Sequence, residues 1–326
     1  MTSTQPANSS TVAHARANAS TTAAANAAIT GAVLVTGANG HLGRKLLDVL
    51  ASTRPVLAVV RSERARAALP AHANLRTLVL DYTDACALEQ ALQGCTAAVH
   101  LVGIIKESRA NGFEQAHEAT CTALATAAAA AGIGRIVYPS IVGARPGAAN
   151  ACLASKGRAE EILLRGRVPA LVLRLPMVLG EDDYASRALA RRARARLAFT
   201  FRAASLEQPI YAGDVIAAIV AGLAMPLPAS LALDLGGPES LDRRALTQRA
   251  ARVLGLPGPT LVSLPRALGM GIATALEALS ANPPVTRAML GVLDHDDAVD
   301  PLPAAARLGI PLTDLDTMLR HCIAAR

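Results

Sequence analysis

The sequence predicts an α/β fold, a doubly wound parallel sheet followed by a small, mainly helical C-terminal lobe. Three observations lead there. First, six short runs are apolar on both faces, as strands buried inside a parallel sheet are: AVLVT (32–36), VLAVV (56–60), LRTLVL (75–80), AAVHLV (97–102), RIVYPS (135–140) and ALVLRL (170–175). Second, helix-length segments at 41–51, 84–92, 113–131 and 151–165 alternate with them. Strand, helix and strand in repetition give a parallel sheet with right-handed crossovers. Third, the rhythm breaks after LRLPMVLG, which ends near residue 180.

Taken in order, residues 1–30 are mostly Ala, Ser, Thr and Asn with hardly a large apolar side chain. They bury too little surface to offset ordering entropy, so a disordered tail is expected. The sheet region then spans 31–180, and 208–235 returns to it. There QPIYAGDVIAAIVAGL reads as a strand running into a helix opened by Asp214, and ALDLGGP as a further strand with a turn. Residues 181–207 and 236–326 make the lobe. The first piece is an Arg-rich helix; the second is helical, with Pro at 257, 259, 265, 283, 284, 301, 303 and 311 marking its breaks.

Composition narrows the function. The 326 residues suffice to bury a core without disulfides. The five cysteines form no Cys-x-x-Cys pair and no metal-ligand spacing with His, so free thiols, a reducing cytoplasmic setting and no bound metal are expected. Net charge is +7, but with no Trp, three Phe and four Tyr there are few stacking platforms, which argues against nucleic acid. The basic excess gathers in SRALARRARARLAFTFRAA, from Arg187 to Arg202. That segment reads either as a solvated helix face or as a surface for an anionic membrane or protein complex, the latter placing the chain peripherally at an inner membrane. No run of eighteen strongly apolar residues occurs.

VLVTGANGHLGRKLLDVL joins a buried strand to a helix through Gly37, Gly40 and Gly43, with Asn39, His41 and Leu42 between them. Glycine is demanded where the backbone turns sharply, where a pyrophosphate approaches, and where helix packs on strand. The helix N-terminus offers free N–H groups to the phosphates. This is a Rossmann-type dinucleotide-binding turn, so 31–180 reads as an NAD(P)-binding domain. The second strand ends in AVVRS, where Arg61 stands in place of the acidic residue that binds a ribose 2′-hydroxyl. An Arg there pairs with a 2′-phosphate, a charge-assisted contact of about 1.5–3 kcal/mol, so NADP(H) is expected ahead of NAD(H). Asp81 and Tyr82, in LDYTD, lie at the carboxyl edge near the adenine, and Asp84 suits an N-cap. In VHLVG, the small Gly103 lets a cofactor approach closely.

These motifs, with FEQAHEATCTALATAAAAAGIGRIVYPS, SKGRAEEIL and LRLPMVLGEDD, resemble the short-chain dehydrogenase/reductase superfamily in its extended, atypical, epimerase/dehydratase-like branch. The subgroup they most resemble lies around the nucleotide-binding accessory subunit of respiratory complex I. The resemblance covers residues 31–235 well and the C-terminal tail loosely. It implies that His100, Leu101, Val102 and Gly103 line the nicotinamide side and that Pro176 closes the carboxamide pocket. It further implies that Ser140 orients a substrate and that Lys156 binds the nicotinamide ribose. His117 stands where an Asn often supports the proton relay, and Cys152 stands where the proton-donating Tyr belongs.

Cys152 and Lys156 share a helix face, so the cation is expected to favour a thiolate. A Cys sulfur nevertheless ends roughly 3–4 Å short of a Tyr oxygen, and about 1 Å of misplacement can cost a hundredfold. Tyr138, Tyr184 and His117 are the substitute donors, although each also reads as a packing or loop residue. Two functions follow: an NADP(H)-binding protein with impaired chemistry that serves assembly or regulation of a respiratory complex, or an NADPH-dependent oxidoreductase acting on a small apolar carbonyl or quinone.

Overall fold

The computed structural model describes residues 31–108, 111–280, 283–292 and 296–324; the tail over 1–30 lies outside them. Seven strands form one sheet: β1 (Ala32–Thr36), β2 (Val56–Val60), β3 (Leu75–Val79), β4 (Cys95–His100), β5 (Arg135–Ile141), β6 (Ala170–Leu175) and β11 (Leu231–Asp234). Their spatial order is β11-β6-β5-β4-β1-β2-β3, with every pairing parallel. The order reverses between β1 and β4, and ligands of such sheets bind outside the carboxyl ends of the strands at that point.

The helices on the sheet are α1 (His41–Ala51), α2 (Glu63–Ala67), α3 (Ala85–Leu92), α4 (Thr120–Ala131) and α5 (Ala151–Leu164). A π-turn, Glu114–Ala119, leads into α4. Alternation along β1 splits the core. Val33 and Val35 join Leu46, Leu47 and Leu50 of α1 on one face, while Leu34 joins Leu88, Leu92 and Leu124 of α3 and α4 on the other. The strand β3 differs from the expected doubly buried run because it is the sheet edge, where Arg76 is exposed. The fourth strand runs two residues earlier than its apolar run suggests, since Cys95 already pairs with Ala32.

Beyond β6 come β7 (Val178–Leu179), α6 (Tyr184–Arg194), β8 (Leu197–Phe201), β9 (Leu206–Glu207), β10 (Ile210–Tyr211) and α7 (Ala212–Ala224). After β11 follow β12 (Leu241–Asp242), α8 (Arg243–Val253), β13 (Thr260–Leu264), α9 (Arg266–Leu279), α10 (Arg287–Val292), α11 (Leu302–Leu308) and α12 (Leu315–Leu319). The lobe core holds Leu189, Leu246, Leu315 and Met318.

Two expectations for this half are corrected. The Arg-rich segment is not helical throughout: α6 ends at Arg194, and β8 pairs in parallel with β13, itself inside a stretch read as helix. The reason is a period of two, in which Ala198 and Thr200 are buried while Leu197 and Phe199 are exposed. Asp214 does not open α7 by capping it. It lies in the first turn, where its carboxylate accepts hydrogen bonds from the Thr313 N–H and hydroxyl, both at 2.7 Å. Among the described residues no helix is long and apolar enough to cross a membrane, and no group of three or more His, Cys, Asp or Glu side chains is placed to hold a metal ion.

Candidate active site

The turn after β1 is shaped by clearances that no side chain would survive. Gly37 has φ +69°, and a Cβ there would sit 2.9 Å from the Leu101 carbonyl carbon; one at Gly43 would sit 2.6 Å from the Ala38 oxygen. Gly40 precedes α1 and provides no side-chain cap, so the first N–H groups of the helix remain for a ligand. Asn39 is exposed at the rim, and Leu42 packs half-buried against the core. His41 turns away from the turn itself: its Nε2–H donates to the Glu181 carbonyl at 2.7 Å. Glu181 also pairs with Lys45 and accepts from the Tyr211 hydroxyl. Burial opposes its ionisation, yet these two donors hold its carboxyl at about 2.

Tyr82 is buried beneath the glycine turn. Its hydroxyl accepts from the Gly37 N–H at 3.1 Å and donates to the Val59 carbonyl at 3.0 Å, a bracket between β1 and β2. The exposed Arg61 guanidinium lies 5.9 Å from the Tyr82 ring centroid and makes no ion pair among the described residues. Asp81 accepts from both the N–H and the hydroxyl of Thr83 at 2.9 Å, while Asp84 caps α3 through Ala87. Leu101 and Val102 are half-buried along the switch point, and Pro176 follows β6, half-buried.

His100 departs from its expected place on the nicotinamide side. It is wholly buried, its Nδ1 2.7 Å from the Thr36 hydroxyl and its Nε2 3.2 Å from that of Thr120. It is a polar pin between β1, β4 and α4. Burial, then the Lys156 charge, lowers its pKa to about 3, so it is neutral. His117 is also buried. The π-turn carries it so that Nε2 lies 3.1 Å from both the N–H and the carbonyl of Ile104, and burial with Lys156 likewise lowers it to about 3.

The helix α5 is capped by Asn150, whose Oδ1 accepts from the Leu153 N–H. Cys152, Lys156 and Glu160 follow at four-residue spacing and share one face. The last two meet alternate residues of β5. The Lys156 ammonium donates to the Tyr138 hydroxyl at 2.8 Å, and the Ser140 hydroxyl donates to Glu160 at 2.5 Å. Glu160 is itself paired with Arg174 at 2.7 Å. Ser140 is therefore committed to a buried carboxylate. The buried Lys156 side chain ends beside Gly103, where a Cβ would lie 3.0 Å from its Nζ.

Cys152 is buried with its Sγ 3.5 Å from the Ile104 carbonyl. The expected thiolate is corrected: burial outweighs the Lys156 charge and pushes the thiol up to about 11. Tyr138 is fully buried as well, and burial with the neighbouring Cys121 raises its hydroxyl well above the ordinary value. Tyr184 is exposed at the start of α6, away from this cluster in the chain and in packing. Beside α5 opens a cavity of about 1020 Å³, bounded by the β4–α4 and β5–α5 loops and by α9 and α10. Phe113, Arg145, Leu153, Met270 and Leu279 are among its walls. Sequence reasoning missed the two rungs Tyr138–Lys156 and Ser140–Glu160; the strand period of two set against the helix period of four carries their signal.

Comparison with known proteins bears on this geometry. Residues 37–198 match the family described as NAD(P)H-binding. The chain is also 30% identical over 244 residues to the ceramide reductase of Caulobacter vibrioides, covering 72% of this chain and 74% of that protein. The chain belongs to the NAD(P)H-binding family. This NAD(P)H-binding chain also shares its fold with solved structures. The structure of gox2253 superposes with a TM-score of 0.70 at 21% identity, over 90% of this chain and 97% of that one. The Bordetella bronchiseptica enzyme WbmH, solved with NAD+, gives 0.67 at 17% identity, over 90% and 97%. The uncapped α1 and the glycine clearances fit the dinucleotide that the family binds.

Proposed function

We propose that the chain is an NADPH-dependent reductase acting on the carbonyl of an apolar, ceramide-like lipid. The observation that carries this reading is the cavity of about 1020 Å³ at the N-terminal end of α5, lined there by Ala151 and Leu153, the neighbours of Cys152, and walled in part by Phe113, Met270 and Leu279 and in part by Glu107, Arg145, Arg266 and Glu277. The name of the Caulobacter relative supports the substrate class. The bound dinucleotide would supply hydride. In this reading the α1 N-terminus and Gly40 hold its pyrophosphate, and Arg61 faces its 2′-phosphate. Asp81 and Tyr82 flank the adenine side, and Lys156 holds the nicotinamide ribose from beside Gly103.

The proton presents the harder problem. Cys152 keeps its proton at neutral pH but reaches short, and Ser140 is engaged by Glu160. Lys156 is buried beside Gly103, where burial lowers its pKa, and it donates to the Tyr138 hydroxyl at 2.8 Å. In this reading it stabilises negative charge on the reduced oxygen, and Tyr138 holds it in place.

The test is NADPH consumption with a 3-keto lipid, a short ketone and a quinone. Lys156→Ala should lower kcat at least about a hundredfold, while Cys152→Ala should keep most activity. Arg61→Ala should narrow the preference for NADPH over NADH by about tenfold. NADPH that co-purifies yet is consumed with none of these substrates would favour the other reading, a cofactor-holding protein in assembly or regulation of a respiratory complex.

A further inference from the structure

Six exposed large apolar residues of the lobe, Val262 among them, gather on two elements, while Tyr184, Leu256 and Leu302 lie elsewhere. On the β8–β13 ribbon, Leu197 is 51% and Phe199 57% exposed; on α9, Leu268 is 49%, Ile272 43% and Leu279 85% exposed. The two are continuous, because Phe201 at the end of β8 lies against Gly269, where an added Cβ would be 2.7 Å from its ring. At 100° per residue, Leu268, Ile272, Ala275 and Leu279 fall on one side of α9. Met270 and Glu277, which line the cavity, fall on the opposite side, while Leu279, at the end of the helix, borders both the cavity and the outer face. Over its first three turns the helix thus separates the cavity from an apolar outer face.

The charge bordering that face is mainly basic. Arg196 precedes β8, Arg202 follows it and pairs with Asp296 at 3.7 Å, and Arg266 opens α9; residues 196–202 and 260–276 contain no Asp or Glu. Arg196 and Arg244 sit at the ribbon: the Thr260 N–H bonds the Arg196 carbonyl, and the Arg244 guanidinium donates to the Leu261 carbonyl. Glu277, the acidic residue of α9, is turned to Arg287. Apolar side chains level with a basic border match an anionic lipid surface, in which acyl boundary and headgroup phosphates lie within about 5–10 Å of each other.

We propose that the β8–β13 ribbon and α9 form a docking face that seats the lobe on an anionic membrane, with α9 lying in the interface. Docking stands on the surface alone. Its further consequence, that a lipid passes from the bilayer past α9 into the cavity, rests on the reductase reading above.

The test is flotation of the full chain with phosphatidylcholine vesicles and with vesicles that also carry phosphatidylglycerol, free of substrate and cofactor. The chain should float with the anionic vesicles and be released by salt. The pair Leu268→Glu and Ile272→Glu should lower partitioning by about tenfold or more, whereas Leu302→Glu, exposed elsewhere, should not. Unchanged NADPH binding would verify that the variants fold. A wild type that does not float, or a double variant that floats equally well, overturns the proposal. So does a wild-type dimer that the double variant splits while neither floats, since the face would then belong to a second copy. Flotation without any turnover would leave docking standing and remove only the reductase reading.

Discussion

The turn after β1 makes its half of the cleft from backbone, whereas α5 makes its half from side chains. In the turn, Gly37 and Gly43 clear space, and the unused N–H groups of α1 provide the polarity. On α5, Lys156 and Glu160 are held by Tyr138, Ser140 and Arg174, each buried group satisfied by another. A backbone site depends on what is absent at a few positions and tolerates change around them. A side-chain site is a chain of dependencies in which each removal strands a partner.

Four outcomes would break or sharpen that contrast. The largest belongs to α5. Glu160→Ala strands the Ser140 hydroxyl and one side of Arg174, and should cost about 3 kcal/mol, the low end for a broken buried pair because Arg174 is partly exposed. A urea midpoint equal to wild type would show that this half is no more interdependent than the turn.

Next comes pH. His100 and His117 are neutral in the fold at about 3, against 6.5 for an unperturbed histidine. Between those values the unfolded chain binds more protons, so stability is full above 6.5 and falls as the pH drops. At about pH 5.5 the loss should be about 1.4 kcal/mol for each histidine relative to neutral solution. Denaturant midpoints that stay level between the two conditions would mean that the fold accepts these protons.

The turn should respond less in stability and more in binding. Gly37→Ala must hold a positive φ and push the Leu101 backbone, at about 2 kcal/mol, and NADPH titration should weaken in step. An alanine variant with wild-type affinity would show that the turn has slack. Smallest is Tyr138→Phe, which keeps the ring but removes the hydroxyl under Lys156, at about 1 kcal/mol. Under the reductase reading its signature is a lowered kcat with KM nearly unchanged.

The same contrast governs how much was legible in the sequence. The strands of the sheet, the glycine turn and the Asp84 cap could be read because each follows from local pattern: apolar runs, small residues between strand and helix, a capping residue before one. The parallel ribbon of β8 and β13 could not, because LAFTF and TLVSL lie far apart in the chain with no turn between them to announce the pair. The Tyr138–Lys156 contact was hidden for a related reason. Each residue was visible, but only the packing of α5 on β5 decides which face of the strand the lysine meets. His100 was misplaced because position along a strand does not disclose that Thr36 and Thr120 wait on either side of it.

The bond from Asp214 to Thr313 sets a schedule for assembly. Its partners are 99 residues apart, which at roughly 5–20 residues per second is about 5–20 s of synthesis. The first six strands of the sheet, and the turn that receives the dinucleotide, leave the ribosome well before the segment that completes the start of α7. During that interval the Asp214 carboxylate has no Thr313 to accept from, so the start of α7 is among the last parts of the fold to be fastened.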